Sequence, residues 1–200
     1  MGRGPRNPGC GCCSSNCLDF ADPFDGSGSI NADWTATGTV TESNGNAEIS
    51  SDGDYAILNA SDHSEQQIRT WVTWSGTQAW AVYMQWTDAD NHIKITVSGV
   101  SDQAMRLQVV RRASAVNTTL LDVYTSRNID WLSGDDFTYF ESYATTSQLW
   151  VRLNGPIGGG DFLVSLPAGL GSESGFGAVT TDSGTIYWTA YEFGEQGPEL

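Results

Sequence analysis

The pattern of apolar and polar positions is clearest in the stretch AWAVYMQWTDADNHIKITVSG, which runs from Ala79 to Gly99. Side chains alternate between the two faces of a β-strand. In the first half of this stretch, the alternation places an apolar set on one face, comprising Trp80, Val82, Met84 and Trp86. In the second half, isoleucine and valine alternate with polar residues after a short acidic turn, so one face should meet a core and the other water. The pattern therefore predicts an antiparallel hairpin at the centre of the fold.

Strand-length segments recur along the rest of the chain, separated by clusters of Gly, Asn, Asp and Ser. The predicted strands are 37–41, 47–50, 55–59 and 67–74 before the hairpin, and 105–111, 119–124, 137–143, 149–154, 162–166, 176–180 and 185–193 after it. No window has the period of a long amphipathic helix. Short strands at this spacing predict an all-β fold, a two-sheet antiparallel sandwich over residues 18–194. Residues 1–17 are expected to form an N-terminal arm, and residues 195–200 a C-terminal tail.

Composition adds a strong negative charge, because the 200 residues contain 24 Asp and Glu against 9 Lys and Arg, a net charge of −15. Phosphate groups are bound by clustered cations, so nucleic acid is not an expected partner. The sequence also has no apolar run of the kind that forms a secretory signal or a membrane anchor. It therefore predicts synthesis in the cytoplasm and no insertion into a membrane.

All four cysteines lie close together in the Gly- and Pro-rich arm, at Cys10, Cys12, Cys13 and Cys17. Three interpretations stay open. The thiolates could bind Zn²⁺ or a cluster, although the adjacent pair fits the usual zinc-knuckle spacing poorly. They could form disulfides that lock the arm or join it to a neighbouring subunit, or they could be free thiols on a tail. The arm is predicted to tie the chain to other subunits of an assembly.

Taken in order, several segments resemble the concanavalin A-like, laminin-G-like jelly-roll superfamily. The resemblance covers Phe20 to Phe193 and depends on the segments FADPFDG, GNAEISSDGDYAIL, AVYMQWTDADNHIKITVSG, QLWVRLNG and GFGAVTTDSGTIYWTAYEF. It implies two stacked antiparallel sheets, with sugars bound on a concave face or at its rim loops. Hydrolases of this superfamily usually present paired acids as a run such as E-x-D-x-E on one strand.

Catalytic residues are not apparent in this sequence. Glycoside hydrolysis needs two carboxylates at a set separation, and the run that the resemblance would supply is missing. Neither His63 nor His92 accompanies a recognisable nucleophile motif. The sequence therefore predicts that the chain is not an enzyme, and a polysaccharide-active hydrolase is kept as the alternative.

Candidate binding residues occur on two predicted strands. Trp150 and Arg152 share the face opposite Leu149, Val151 and Leu153, and Arg69 and Trp71 share the polar face of the segment 67–74. A flat ring can cover the apolar face of a pyranose while a forked guanidinium bonds its hydroxyls. These four residues are a candidate carbohydrate-binding platform, with burial in a core or a subunit contact as the other interpretation of the two tryptophans.

The turn of the central hairpin offers a candidate metal site. Asp88, Asp90 and Asn91 supply hard oxygen atoms of the kind that Ca²⁺ binds, although the turn lacks the spacing of an EF-hand. A solvated turn explains the same residues. The combined expectation is a non-catalytic module on the outside of a virion or another particle, which decorates the surface or attaches to glycans.

Overall fold

The computed structural model describes residues 19–59, 63–74, 77–101, 104–126, 137–154, 159–167 and 170–194, and these residues form strands and connecting turns without a helix. The strands are β1 (Phe20–Asp22), β2 (Gly28–Ser29), β3 (Trp34–Thr37), β4 (Val40–Ser43), β5 (Asn46–Ile49), β6 (Tyr55–Leu58), β7 (Gln66–Thr73), β8 (Ala79–Asp88), β9 (Asn91–Ser101), β10 (Ala104–Ala113), β11 (Val116–Ser126), β12 (Phe137–Ala144), β13 (Gln148–Asn154), β14 (Gly159–Ser165), β15 (Glu173–Thr180) and β16 (Ile186–Gly194). The arm with Cys10, Cys12, Cys13 and Cys17 lies outside the described residues, so the interpretations of the cysteines stay predictions. In the described part of the chain, no helix is long and apolar enough to cross a membrane.

The strands form two antiparallel sheets. One sheet has the order β14-β13-β12-β7-β16-β5-β4-β2, with β1 paired to β16 beside this path. The other is seven-stranded, in the order β11-β10-β9-β8-β15-β6-β3. The inward side chains of both sheets belong to one continuous buried cluster, which confirms the predicted two-sheet antiparallel sandwich.

Most predicted strands lie within a few residues of the observed ones, because they follow a simple alternation that local sequence records. The segment 37–41 is an exception and was wrongly predicted as one strand. There β3 ends at Thr37, Gly38 takes a positive φ of 81°, and β4 begins at Val40. The next turn is an Asn-Gly turn, with φ of 53° at Asn44 and 78° at Gly45 between β4 and β5.

Aromatic side chains fill the space between the sheets. The largest fully buried ones are Trp74, Trp80, Trp188, Tyr191, Phe24, Phe140, Phe176 and Phe193. Strands from both sheets contribute, and ring pairs join the layers, such as Phe176 of β15 and Tyr191 of β16 with centroids 5.8 Å apart. Burial of these rings supplies much of the hydrophobic stabilisation of the sandwich.

The strand β8 departs from simple alternation at one residue. Gln85 has a positive φ of 48°, and the register with β9 shifts between Met84 and Asp88, which marks a β-bulge. Trp80, Val82 and Met84 point into the core as predicted, but Trp86 does not. The bulge turns Trp86 to the outer face of the seven-stranded sheet, where it joins a second apolar cluster. The prediction for Trp86 was therefore wrong, because an extra residue reverses the side-chain alternation beyond it.

Candidate functional site

A cleft of about 390 Å³ lies on the outer face of the seven-stranded sheet. Aromatic and apolar side chains form part of its lining, namely Tyr55, Tyr83, Trp86, Ala89, Val110 and Val179. The remaining lining is polar or cationic, and consists of His92, Lys94, Thr96, Gln108, Arg112 and Asn117. Its size and its mixture of rings with a few polar groups are typical of small-molecule sites.

Four rings of the cleft pack against one another. Trp86 and His92 are stacked, with centroids 4.7 Å apart and planes inclined by 19°. Tyr83 contacts both rings edge-on, and Tyr55 packs against Tyr83 and Trp86 at 5.5 and 5.3 Å. Since Trp86 reaches this face only through the bulge at Gln85, the bulge is what completes the aromatic wall. We call these four rings the aromatic wall of the cleft.

Hydrogen bonds hold the bulge in place from the other sheet. The backbone N–H of Gln85 donates to the side-chain Oε1 of Gln66 on β7, at 2.7 Å, and the Gln85 side chain donates to the backbone oxygen of Thr145. Both side chains are buried. A contact between buried polar groups of two sheets fixes the unusual backbone at Gln85, because leaving those groups unpaired would be costly.

The polar lining comes from three neighbouring strands, β9, β10 and β11. His92, Lys94 and Thr96 alternate along β9 with the core residues Ile93 and Ile95, and so share the outer face. The sequence pattern predicted this alternation, but it indicated only that the polar face contacts water. What it missed is that β8 and β10 place rings and further polar groups beside that face.

Burial changes the titration of the groups in the cleft. It lowers the pKa of Lys94, and it also lowers the pKa of His92, an effect that the charges of Lys94 and Arg112 reinforce. His92 is therefore neutral at pH 7, with its Nδ1 3.2 Å from the backbone oxygen of Asp88. Burial likewise raises the pKa of Tyr83, so its phenol keeps its proton. The remaining basic side chains of the lining are Lys94 and Arg112.

The predicted carbohydrate platform lies on the opposite side of the molecule, on the outer face of the larger sheet. Arg69 and Trp71 on β7 are separated by β12 from Trp150 and Arg152 on β13. All four side chains are half-buried. The two tryptophans therefore face outward and do not belong to the core, which leaves a subunit contact as the alternative to the platform.

Charged groups cross that face in a row, which we define as Arg69, Glu141, Arg152 and Asp161. Glu141 is buried and accepts from Arg69 Nε at 3.0 Å, while its other oxygen lies 3.7 Å from Arg152 Nη1. Arg152 also donates to Asp161 at 2.9 Å, and its guanidinium lies 4.6 Å from the centre of the Trp150 ring. Trp150 thus already carries a cation–π contact, and both guanidinium groups are paired with carboxylates. The platform stays a hypothesis.

The hairpin turn that was a candidate calcium site has its oxygens bonded within the protein. Asp88 Oδ1 accepts from the backbone N–H of Asp90 at 2.8 Å and from Asn91 Nδ2 at 2.9 Å. These bonds lower the pKa of Asp88, the side-chain bond from Asn91 most of all. Asp90 Oδ1 accepts from Arg112, and no group of three or more His, Cys, Asp or Glu able to hold a metal occurs in the ranges that the structure describes. Calcium binding at this turn stays a prediction.

The sequence matches no protein-family model and no curated protein. Solved structures similar to it include the CBM2 module of the evolved Dit of Lactobacillus casei BL23 phage J-1, with a TM-score of 0.60, 14% identity, and coverage of 90% of this chain and 96% of that one. The legume lectin-like domain from Entamoeba histolytica has a TM-score of 0.61 at 10% identity, with 82% and 91% of the two chains covered.

A glycosidase is also among the similar structures. Xylan beta-1,4-xylosidase from Bacillus halodurans C-125 has a TM-score of 0.60 and 11% identity, with 88% of this chain covered but only 39% of the xylosidase. The chain therefore spans about two fifths of that enzyme's length. At such identities the likeness concerns the fold, and together these structures confirm the concanavalin A-like jelly-roll fold.

Proposed function

We propose that the chain is a non-catalytic glycan-binding module and that its ligand lies in the cleft on the seven-stranded sheet. The observation that carries the proposal is the aromatic wall, with polar groups of β9 and β10 beside it. Rings of this kind contact the apolar face of a sugar while neighbouring polar groups bond its hydroxyls. Likeness to a lectin-like domain and to a CBM2 module supports the same function.

The chemistry of the cleft favours binding over hydrolysis. Glycoside hydrolysis requires an acid and a base or nucleophile, usually two carboxyl groups that flank the scissile bond. The lining residues that the structure describes include no Asp or Glu, and the nearby Asp90 bonds to Arg112. The neutral rings and the cations of the lining cannot replace a carboxylate pair in that mechanism. Release of reducing ends from a polysaccharide that the protein binds would overturn the non-catalytic assignment.

Removing one ring of the aromatic wall should weaken glycan binding. Tyr55 is half-buried at the cleft, so Tyr55→Ala removes a contact surface without opening the core. We expect affinity to fall about 5- to 30-fold, as the loss of one aromatic contact would produce. The measurement is isothermal titration calorimetry with an oligosaccharide selected on a glycan array.

Two variants serve as controls for this prediction. Tyr124→Ala removes an exposed tyrosine of β11 that lies outside the cleft lining, and its affinity should match that of the wild type. Trp150→Ala tests the platform on the other sheet. Loss of binding in Trp150→Ala, with Tyr55→Ala unchanged, would place the ligand on the platform and contradict the cleft.

We further propose that this module decorates or attaches a larger assembly of the virion or particle type. The likeness to the phage CBM2 module, which the alignment covers over 96% of its length, supports this role. The Cys-rich arm is the segment that would join other subunits. Deletion of residues 1–17 should leave a folded all-β module that no longer incorporates into the assembly, as native mass spectrometry and circular dichroism would show. Normal incorporation of the truncated chain would contradict the role of the arm.

A further inference from the structure

We propose that the ligand of the cleft is an acidic saccharide, with a uronate carboxylate or a sulfate group bound by Lys94. This inference rests on the proposed glycan-binding function and specifies its ligand. The shared chemistry is an anionic group on a sugar ring: the rings of the aromatic wall contact the sugar, and the ammonium group contacts the anion.

The first observation is that Lys94 has no carboxylate partner among the described residues, unlike other cations of the fold. Arg69, Arg106, Arg112 and Arg152 each bond to an Asp or Glu. The contact of Lys94 is instead with a ring, because its Nζ lies 5.8 Å from the centre of Tyr83. A partly buried ammonium without a counterion is costly to keep, and an incoming anion would offset that cost.

The second observation is the sign of the charge around the cleft. The chain carries 24 acidic residues and a net charge of −15, yet the described lining holds Lys94 and Arg112 and no acid. If residues of so acidic a chain lined the cleft irrespective of their charge, Asp or Glu would be expected among them. Arg112 is held by Asp90 and Asn117, which leaves Lys94 as the cation able to take a new partner.

The third observation is the position of Lys94 within the cleft. It lies on β9 between Tyr83 of β8 and Val110 of β10, with His92 and Thr96 as its neighbours on the same face. The site therefore offers a ring, a cation and a hydroxyl within one small area. Charge-assisted hydrogen bonds are stronger than neutral ones and are strengthened further where water is excluded.

The test uses matched pairs of short oligosaccharides. One pair is oligogalacturonate and its methyl ester, a second is a sulfated galactan fragment without uronic acid and its desulfated form, and a third is an oligomannuronate and its reduced neutral form. Calorimetry should give the wild type about 10- to 150-fold higher affinity for the anionic member of at least one pair, as expected for one charged hydrogen bond. The pair whose two members differ in affinity shows whether the cleft binds a carboxylate or a sulfate.

Two variants make the test specific to the charge. Lys94→Met keeps an unbranched side chain of similar size without the charge, and should reduce binding of the anionic member to the level of its neutral partner. Lys94→Arg keeps the charge and should retain most of the preference. Lys94 also lines the cleft, so the readout is the ratio of the affinities for the anionic and the neutral member of a pair. That preference should be lost in Lys94→Met and mostly retained in Lys94→Arg.

The pH dependence supplies an independent readout. The titratable and charged groups that face Lys94 are Tyr83, whose phenol keeps its proton because burial raises its pKa, and Tyr55, His92 and Arg112. Burial lowers the pKa of Lys94, so the preference for the anion is present at pH 7 and should be lost as pH rises through that lowered value. The lowered pKa of His92 keeps it uncharged across that range. The same titration of Lys94→Met should show no such loss.

The possible outcomes separate the inference from the function on which it rests. Equal affinity for both members of every pair would overturn the acidic-ligand inference and leave the glycan-binding function intact. Binding of neither member of any pair would overturn both. Binding of inorganic sulfate as tightly as of the sulfated fragment would show an anion site without sugar recognition, and would also overturn the inference.

Discussion

Replacing Trp34 with alanine is expected to destabilise the sandwich by about 3–5 kcal/mol, the cost of truncating a fully packed aromatic residue. Trp34 is only 5% exposed and begins β3 of the seven-stranded sheet. Its ring contacts Phe176 of its own sheet at 4.9 Å and Tyr191 of the other sheet at 5.0 Å. Truncation would therefore leave a cavity at a point where the two layers meet.

The indole of Trp34 also makes a buried polar contact. Its Nε1 donates to Asp22 Oδ2 at 2.7 Å, and Asp22 accepts in addition from the backbone N–H of Phe24 and from Asn31. Loss of the indole removes one donor from a buried carboxylate, which adds to the cost of the cavity. We expect the melting temperature to fall by about 6–20 °C, on the scale usual for a chain of this size.

Two other variants serve as controls for Trp34→Ala. Trp34→Phe keeps most of the ring and should lose only part of the stability. Trp150→Ala removes a half-buried tryptophan from an outer face, and should cost about 1–2 kcal/mol. Calorimetric unfolding of the three variants measures the order of their stabilities. An equal loss in Trp34→Ala and Trp150→Ala would contradict the placement of Trp34 between the layers.

The second large effect is expected for Glu141→Ala. Glu141 is buried on β12 and accepts from Gln67 Nε2 at 2.7 Å and from Arg69 Nε at 3.0 Å. Removing the carboxylate leaves Arg69 without its charge partner at a partly buried position, which costs far more than the loss of an exposed ion pair. The contact with Arg152 counts for less, since that side chain is 37% exposed and screened by water.

We expect Glu141→Ala to lower the free energy of unfolding by about 2–4 kcal/mol, measured by urea denaturation. Asp161→Ala is the matched control, because it removes a carboxylate that is 55% exposed at the end of the same charged row. Its effect should stay within about 1 kcal/mol. If the two variants are equally stable, the charged row has no buried centre. A large effect for Glu141→Ala alone would show that Arg69 and Arg152 are positioned for stability, which weakens the case for the platform.

The alternation of apolar and polar residues allowed much of the fold to be predicted. On β13 the buried residues Leu149, Val151 and Leu153 alternate with Trp150 and Arg152, as the sequence indicates. Each such face is defined by residues two apart in one strand, so a local pattern is enough to identify it. The strand-by-strand resemblance to concanavalin A-like proteins used the same information, and the similar solved structures confirm it.

Sequence patterns did not predict most of the candidate site, because its residues lie far apart along the chain. Tyr55, Trp86, Lys94 and Gln108 come from four strands whose order in the sheet is not recorded in any local segment. His92 and Lys94 were visible as a polar face of β9, but nothing nearby in sequence indicates that Tyr83 and Tyr55 would stand beside them. The available signal was the excess of aromatic residues near the segment in which polar and apolar residues alternate. That signal does not indicate on which face of the sheet the aromatic side chains will lie together.

By itself the sequence determined the strands, their buried faces, the acidic charge and the all-β class, because each of these depends on composition or on residues a few positions apart. Only the tertiary structure decided which strands are neighbours, and therefore which side chains form the cleft and the charged row. Trp86 illustrates the division. The alternation along β8 predicted that Trp86 lies in the core. The contact between Gln85 and Gln66 of the other sheet instead holds a bulge that turns the Trp86 ring outward. The backbone conformation of β8 at that residue is thus set by a partner 19 positions away in sequence, which no local period can reveal.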